Sequence, residues 1–107
     1  MIARTWHGAV AAEDADAYVR YLQQTGIAAF RNTDGNRGAF VLRRITPQRA
    51  EFVVLSLWDS ETAIRQFAGD EIEKAVFYPE DDRFLIARDT HVSHYQVVAD
   101  ASLVGQS

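Results

Sequence analysis

Hydrophobic residues recur along this chain with two different periods. In residues 2–7 the side chains Ile2, Arg4 and Trp6 alternate with Ala3, Thr5 and His7, the period-two pattern of a strand, which Gly8 ends. Ala15, Tyr18, Val19 and Leu22 then recur at helical spacing. Glu13, Asp14 and Asp16 fall in the first turn, where the helix dipole favours anions, and the pattern predicts a helix over 13–25. Gly26 follows as a natural residue just past its end. RNTDGNRG concentrates residues that tolerate positive φ and reads as a turn. Two β-rich runs come next, at about 38–45 and 50–58, joined by the polar TPQRA, which is the pattern of an antiparallel hairpin. Ser60 is placed to cap a helix with Ala63, Ile64 and Phe67 as its buried stripe, interrupted at Gly69. Asp70 with Glu73, a capping-box variant, predicts a short further helix carrying Ile72, Val76 and Phe77. Pro79 followed by acids predicts one more around 80–86. HVSHYQVV is the last strand, at about 91–98.

The order β-α-β-β-α-β is that of a ferredoxin-like α+β fold, a four-stranded antiparallel sheet carrying both helices on one face. The third strand does not fit a sheet whose other face is wet. Phe52, Val54 and Trp58 alternate there with Val53, Leu55 and Leu57, so both of its faces are apolar, whereas one solvated face calls for polar residues. Packing a second copy on that face is the simplest remedy, and a two-fold homodimer is expected. Residues 1–98 form one domain in this reading and 99–107 a tail.

Composition removes several classes of function. With 15 Asp+Glu against 11 Lys+Arg and no basic run, nucleic acid is not an expected partner. The absence of cysteine excludes disulfides, thiolate metal sites and Cys nucleophiles. No leader-like start and no long apolar window are present, so a cytoplasmic protein without membrane contact is expected. GNRG lacks both the length and the lysine of a phosphate-binding loop.

The order of elements, the opening IARTWHG, the passage LWDSETAIRQFAG and the closing FYPEDDRFLIARDTHVSHYQVV together resemble the antibiotic biosynthesis monooxygenase family, over roughly residues 1–98. The resemblance implies a dimeric α/β barrel with a cavity between each sheet and its helices. Members include cofactor-free oxygenases of aromatic polyketides, quinol oxygenases and haem-degrading enzymes. The last group carries an Asn on the first strand, a Trp on the second helix and a haem-ligating His soon after. Aligned on LWDSETAIRQF, that Trp falls on Phe67 and that His on or near Phe77, and no Asn occurs between Met1 and Thr25. A phenyl ring has no lone pair for iron, so haem ligation in the family manner is not expected.

Arg4 and His94 are the candidate catalytic residues. A guanidinium on a strand face beside Ile2 and Trp6 is either paired with a carboxylate, for which PEDDR offers partners, or aimed at a ligand, where it could hold a phenolate or enolate oxygen. His94 could take a proton near neutral pH, and the first and last strands of this topology are neighbours, so His7 could lie beside it. The plainer reading of each histidine is structural, and His91 is expected to be exposed. Trp6, Trp58, Phe67, Phe77 and Tyr78 could line an aromatic pocket for a flat substrate, with ordinary core as the alternative. Tyr18, Tyr21 and Tyr95 could each donate a hydrogen bond from a packed phenol. The acids in residues 80–83 read as a solvated helix start. No metal site is expected, because the histidines lack an i, i+4 spacing.

The function expected is cofactor-independent monooxygenation of a small hydroxylated aromatic or quinol-type compound: the protein removes a proton, and the electron-rich anion reduces O₂. A proton-transfer isomerase or decarboxylase on the same scaffold is the second possibility, and a non-enzymatic dimeric domain that binds a small molecule is the third.

Overall fold

The computed structural model describes residues 1–101. Strand β1 (Ile2–Ala11) leads through one 3₁₀ turn (Ala12–Asp14) into helices α1 (Ala15–Gln24) and α2 (Gly26–Arg31). The hairpin β2 (Asn36–Ile45) and β3 (Arg49–Trp58) follows, then α3 (Glu61–Ala68), the single turn α4 (Asp81–Phe84), β4 (Leu85–Arg88) and β5 (Ser93–Gln96). The sheet is antiparallel throughout, in the order β2-β3-β1, and β4 and β5 share the far edge of β1. This is the α+β, ferredoxin-like arrangement with its last strand divided in two.

The local chemistry explains most of these elements. Thr46 closes the hairpin, donating its N–H to Arg49 O at 2.8 Å while its hydroxyl accepts from Arg49 N at 3.1 Å. Ser60 caps α3 by accepting from Ala63 N at 3.1 Å, and Gly69 ends that helix at φ 82°, a left-handed conformation that favours glycine. Ala15, Tyr18, Tyr21 and Leu22 form the buried stripe of α1.

Four expectations need correction. Gly26 does not terminate a helix in positive φ. The break falls at Thr25, whose hydroxyl bonds Tyr21 O at 2.8 Å, and Gly26 opens α2, which buries Phe30. No helix forms over 70–77. That segment makes a turn, closed by Lys74 N to Glu71 O at 3.0 Å, and is tied to residues 90–92 by Ala75 N to Thr90 O, 2.9 Å, and Val92 N to Glu73 O, 2.8 Å. Fewer than ten residues separate Gly69 from Pro79, which disfavours helix at Tyr78 before it, and so short a run gains little after the cost of nucleation. The helix expected over 80–86 is a single turn that gives way to β4. The last strand is β4 plus β5, because residues 89–92 leave β1 to meet the 73–75 segment, with Lys74 bridging His91. Of the expected tail, residues 102–107 lie outside the described residues.

Register sets the two faces of the sheet. Arg4 lies opposite Ser56 on one side and His94 on the other; Trp6 lies opposite Val54 and Gly8 opposite Phe52. These residues face the helices. Two apolar clusters fill that side, one around Tyr18, Leu22 and Phe52, the other around Phe30, Trp58 and Ile64. The opposite face carries Phe40, Leu42 and Tyr95, which are 58%, 49% and 58% exposed, with Val53, Leu55 and Leu57 half-buried beside them on β3.

Candidate active site

A cavity opens between the two apolar clusters on the helix side of the sheet, with about 530 Å³ of free space when its open mouth is included. Trp6, Phe67, Phe77, Val54 and Leu22 give it apolar walls, and Arg4, Ser56, Tyr18, Tyr78 and Asp81 give it polar points. Trp6 reaches it by leaning along β1 over Gly8. A Cβ at position 8 would run into the indole, so the last letter of RTWHG makes room for the third. The indole N–H is fixed by Asp89 O at 2.8 Å, and Phe77 meets the ring edge-on at 6.2 Å.

Arg4 is 5% exposed. Among the described residues it pairs with no carboxylate, so the internal ion pair with PEDDR is not formed. Nη2 donates instead to Lys74 O at 2.9 Å and Ile72 O at 3.3 Å, and the guanidinium lies 5.5 Å from the centre of the Phe67 ring. Its Nε is buried with no partner. Desolvation lowers the Arg4 pKa to about 10, with Tyr78 opposing the shift, so the side chain is a cation at neutral pH. A buried, unpaired cation is costly to keep in a protein interior and is suited to an incoming negative charge.

Asp81 is the acidic counterpart. The solvated helix start read from residues 80–83 holds for Glu80, Asp82 and Arg83 but fails at Asp81, which is 4% exposed. Tyr18 donates its hydroxyl to Asp81 Oδ1 at 3.3 Å, and Tyr78 N–H donates to Oδ2 at 2.6 Å. Burial pushes the Asp81 pKa up against those two bonds and against Arg88. Burial, then the charge of Asp81 and its hydrogen bond, holds the Tyr18 phenol far above its ordinary value.

Of the seven residues singled out from the sequence, Arg4, Trp6, Phe67, Phe77 and Tyr78 converge on this cavity. Trp58 does not line it. Fully buried, it donates to Ser56 Oγ at 2.8 Å and stacks on Phe67, 5.7 Å between centres, so it is core behind the wall. His94 shares the inner face with Arg4 but is off the lining; burial and the Arg4 charge lower its pKa, and its Nε2 is buried without a partner. His7 points the other way and is exposed, 3.6 Å from Asp89, so the two histidines do not meet. His91 is exposed, as expected. Asp81 and Ser56 were missed. A run of three acids does not say which one turns inward, although the spacing of Tyr78, Pro79 and Asp81, a proline turn with an acid three residues on, is a usable signal.

The fold is that of an α+β, ferredoxin-like protein with a cavity between its sheet and its helices. The chain belongs to the antibiotic biosynthesis monooxygenase family, whose model matches residues 1–76. Among solved structures it is similar to a candidate antibiotic biosynthesis monooxygenase from Bacillus cereus, at 20% identity and TM-score 0.67, covering 94% of this chain and 96% of that one. A counterpart from Deinococcus radiodurans has 19% identity and TM-score 0.64 over 98% and 100% of the two chains. The haem-degrader MhuD from Mycobacterium tuberculosis, solved with two haems in its active site, has 19% identity and TM-score 0.61 over 95% and 100%. A comparison with curated proteins found no match. The cavity does not fit haem held by an imidazole, because no histidine lies on its lining. No helix among the described residues is long and apolar enough to cross a membrane.

Proposed function

We propose that the protein is a cofactor-independent monooxygenase of a small hydroxylated aromatic or quinol-type compound and works as a homodimer. Arg4 is the observation that carries this reading: a desolvated cation without a carboxylate partner among the described residues, in a cavity walled by Trp6, Phe67 and Phe77. Flat apolar walls suit a fused ring, and the guanidinium suits the oxygen on which charge gathers once the ring loses a proton. The anion then donates electrons to O₂. For an activated ring CH₂ the balance is one O₂ consumed, one oxygen atom entering as a carbonyl and the other leaving with the two hydrogens as water. Within this scheme Arg4 stabilises the anion and the aromatic residues orient the ring.

The outer face supports the dimer. Phe40, Leu42 and Tyr95 stand in water, and Val53, Leu55 and Leu57 are half-buried on the same face, an exposed apolar surface of the kind that marks an interface. The test of the catalytic reading is oxygen uptake by metal-stripped protein against dihydroxynaphthalenes, anthrones and quinols. Uptake should fall about a hundredfold in Arg4→Met, the usual cost of losing a donor to a developing oxyanion. Equal uptake by the variant would refute the role of Arg4.

A further inference from the structure

Asp81, Arg4 and Ser56 are the polar residues buried in the described chain, and Asp81 uses its two oxygens unequally. Oδ2 takes the short bond from Tyr78 N–H across the turn that runs from Tyr78 to Asp81, whereas Oδ1 takes only the 3.3 Å bond from Tyr18. An ionised carboxylate offers about four acceptor positions, so Oδ1 keeps capacity in a residue that lines the cavity. The neighbouring Asp82 shows where an acid with no such task goes: it is exposed and bonded to Arg88 at 2.6 Å. Asp81 is desolvated, with no cation bonded to it among the described residues. The cavity therefore holds a guanidinium and a carboxyl group that do not pair. Tyr78 lies in electrostatic reach of both, since its phenol is raised by burial and by Asp81 while Arg4 opposes the rise.

We propose that Asp81 is the proton acceptor of this cavity, and that Asp81 and Arg4 together select a neutral hydroxylated ring compound over an aromatic carboxylate. The proposal rests on the reading of the cavity as a substrate site. The proton passes from a substrate O–H or acidic C–H to Oδ1; the bonding pair stays on the ring, and the resulting anion faces Arg4. Before transfer the buried charges are Arg4 and Asp81, and afterwards Arg4 and the substrate anion. The net charge is zero at both stages, so the step adds no uncompensated charge to a desolvated site. An aromatic carboxylate brings a second anion and is held only if Asp81 first takes up a proton. His94 is the weaker acceptor, because it is off the lining and burial, then the Arg4 charge, opposes its protonation. The groups that face Asp81 are Tyr18 and Tyr21 from α1, Tyr78 from the segment between α3 and α4, Arg88 from β4 and Asp82 beside it.

The test is calorimetric titration with 1-naphthol and 1-naphthoate at pH 7, in two buffers of different ionisation heat. The wild type should bind naphthol about tenfold more tightly than naphthoate or better, and without net proton exchange. Naphthoate should take up about one proton per site. Asp81→Asn should abolish that uptake and level the preference. Naphthoate that binds the wild type as tightly as naphthol, with no proton taken up, would overturn the proposal. If Asp81→Asn does not fold, the wild-type proton count decides alone. If neither compound binds, the reading of the cavity as a substrate site falls and the proposal with it, whereas binding without the proton signature removes only the role of Asp81.

Discussion

The two faces of the sheet break opposite rules. On the inner face, where two apolar clusters could have met in a dry core, the chain places Arg4 and Asp81 and leaves a cavity between them. On the outer face, where polar residues would have met water at no cost, it places Phe40, Leu42 and Tyr95. Strand β3 serves both: Phe52 and Trp58 are 1% and 0% exposed inside, and Leu55 and Leu57 are half-covered outside. A buried charge and an exposed apolar patch are the informative exceptions to ordinary burial. In the function proposed above, the first is where a small molecule binds and the second is where another copy packs.

The largest effect should follow from a charge placed at the centre of the outer face. Leu55 lies between Phe40 of β2 and Thr5 of β1, and Leu55→Asp should weaken the dimer by roughly a hundredfold or more, as loss of an interface hot spot does. Sedimentation at micromolar concentration should then show a dimer for the wild type and a monomer for the variant; a wild-type monomer would remove the homodimer altogether. A smaller effect is expected inside. Gly8→Val drives a side chain into the Trp6 ring and should cost about 1–3 kcal/mol in urea unfolding while leaving the dimer intact. No loss of stability would mean that Trp6 does not lie over Gly8 in solution.

The smallest effect is one of pH. Burial raises the Asp81 pKa in the folded state above its unfolded value, so the folded chain holds this proton more firmly than the unfolded one. The wild type therefore loses stability as pH rises from the unfolded value through the raised one, and carries the full penalty above it. Asp81→Asn should raise Tm at pH 7 by about 4 °C or less, and the gap should close as the solution is acidified. A lower Tm at pH 7 would show that the Tyr18 and Tyr78 bonds outweigh the desolvation.

The parts of this architecture that were legible in the sequence depend on local signals. The alternation in β1, the TPQRA turn and the Ser60 cap each fix a conformation within a few residues, and the two-sided third strand announced the uncovered face. The stretch from Gly69 to Gln96 was less legible because its conformation is decided at a distance. Ile72 and Lys74 give their carbonyls to Arg4, nearly 70 residues earlier in the chain, and Glu73 and Ala75 pair with Val92 and Thr90. The same reason explains the site. Aromatic wall residues were recognised by type, but Trp58 differs from Phe67 only in lying one layer deeper, and Asp81 differs from Asp82 only in which way a single helical turn rotates it.

The measurement that bears most directly on the central claim is a turnover under ¹⁸O₂ with a substrate that the wild type consumes, followed by mass spectrometry of the product. Monooxygenation by the scheme above predicts one labelled oxygen atom per product molecule, with the other in water. Product formed without label would contradict it and leave the Arg4 and Asp81 cavity as the site of a proton-transfer isomerase or decarboxylase.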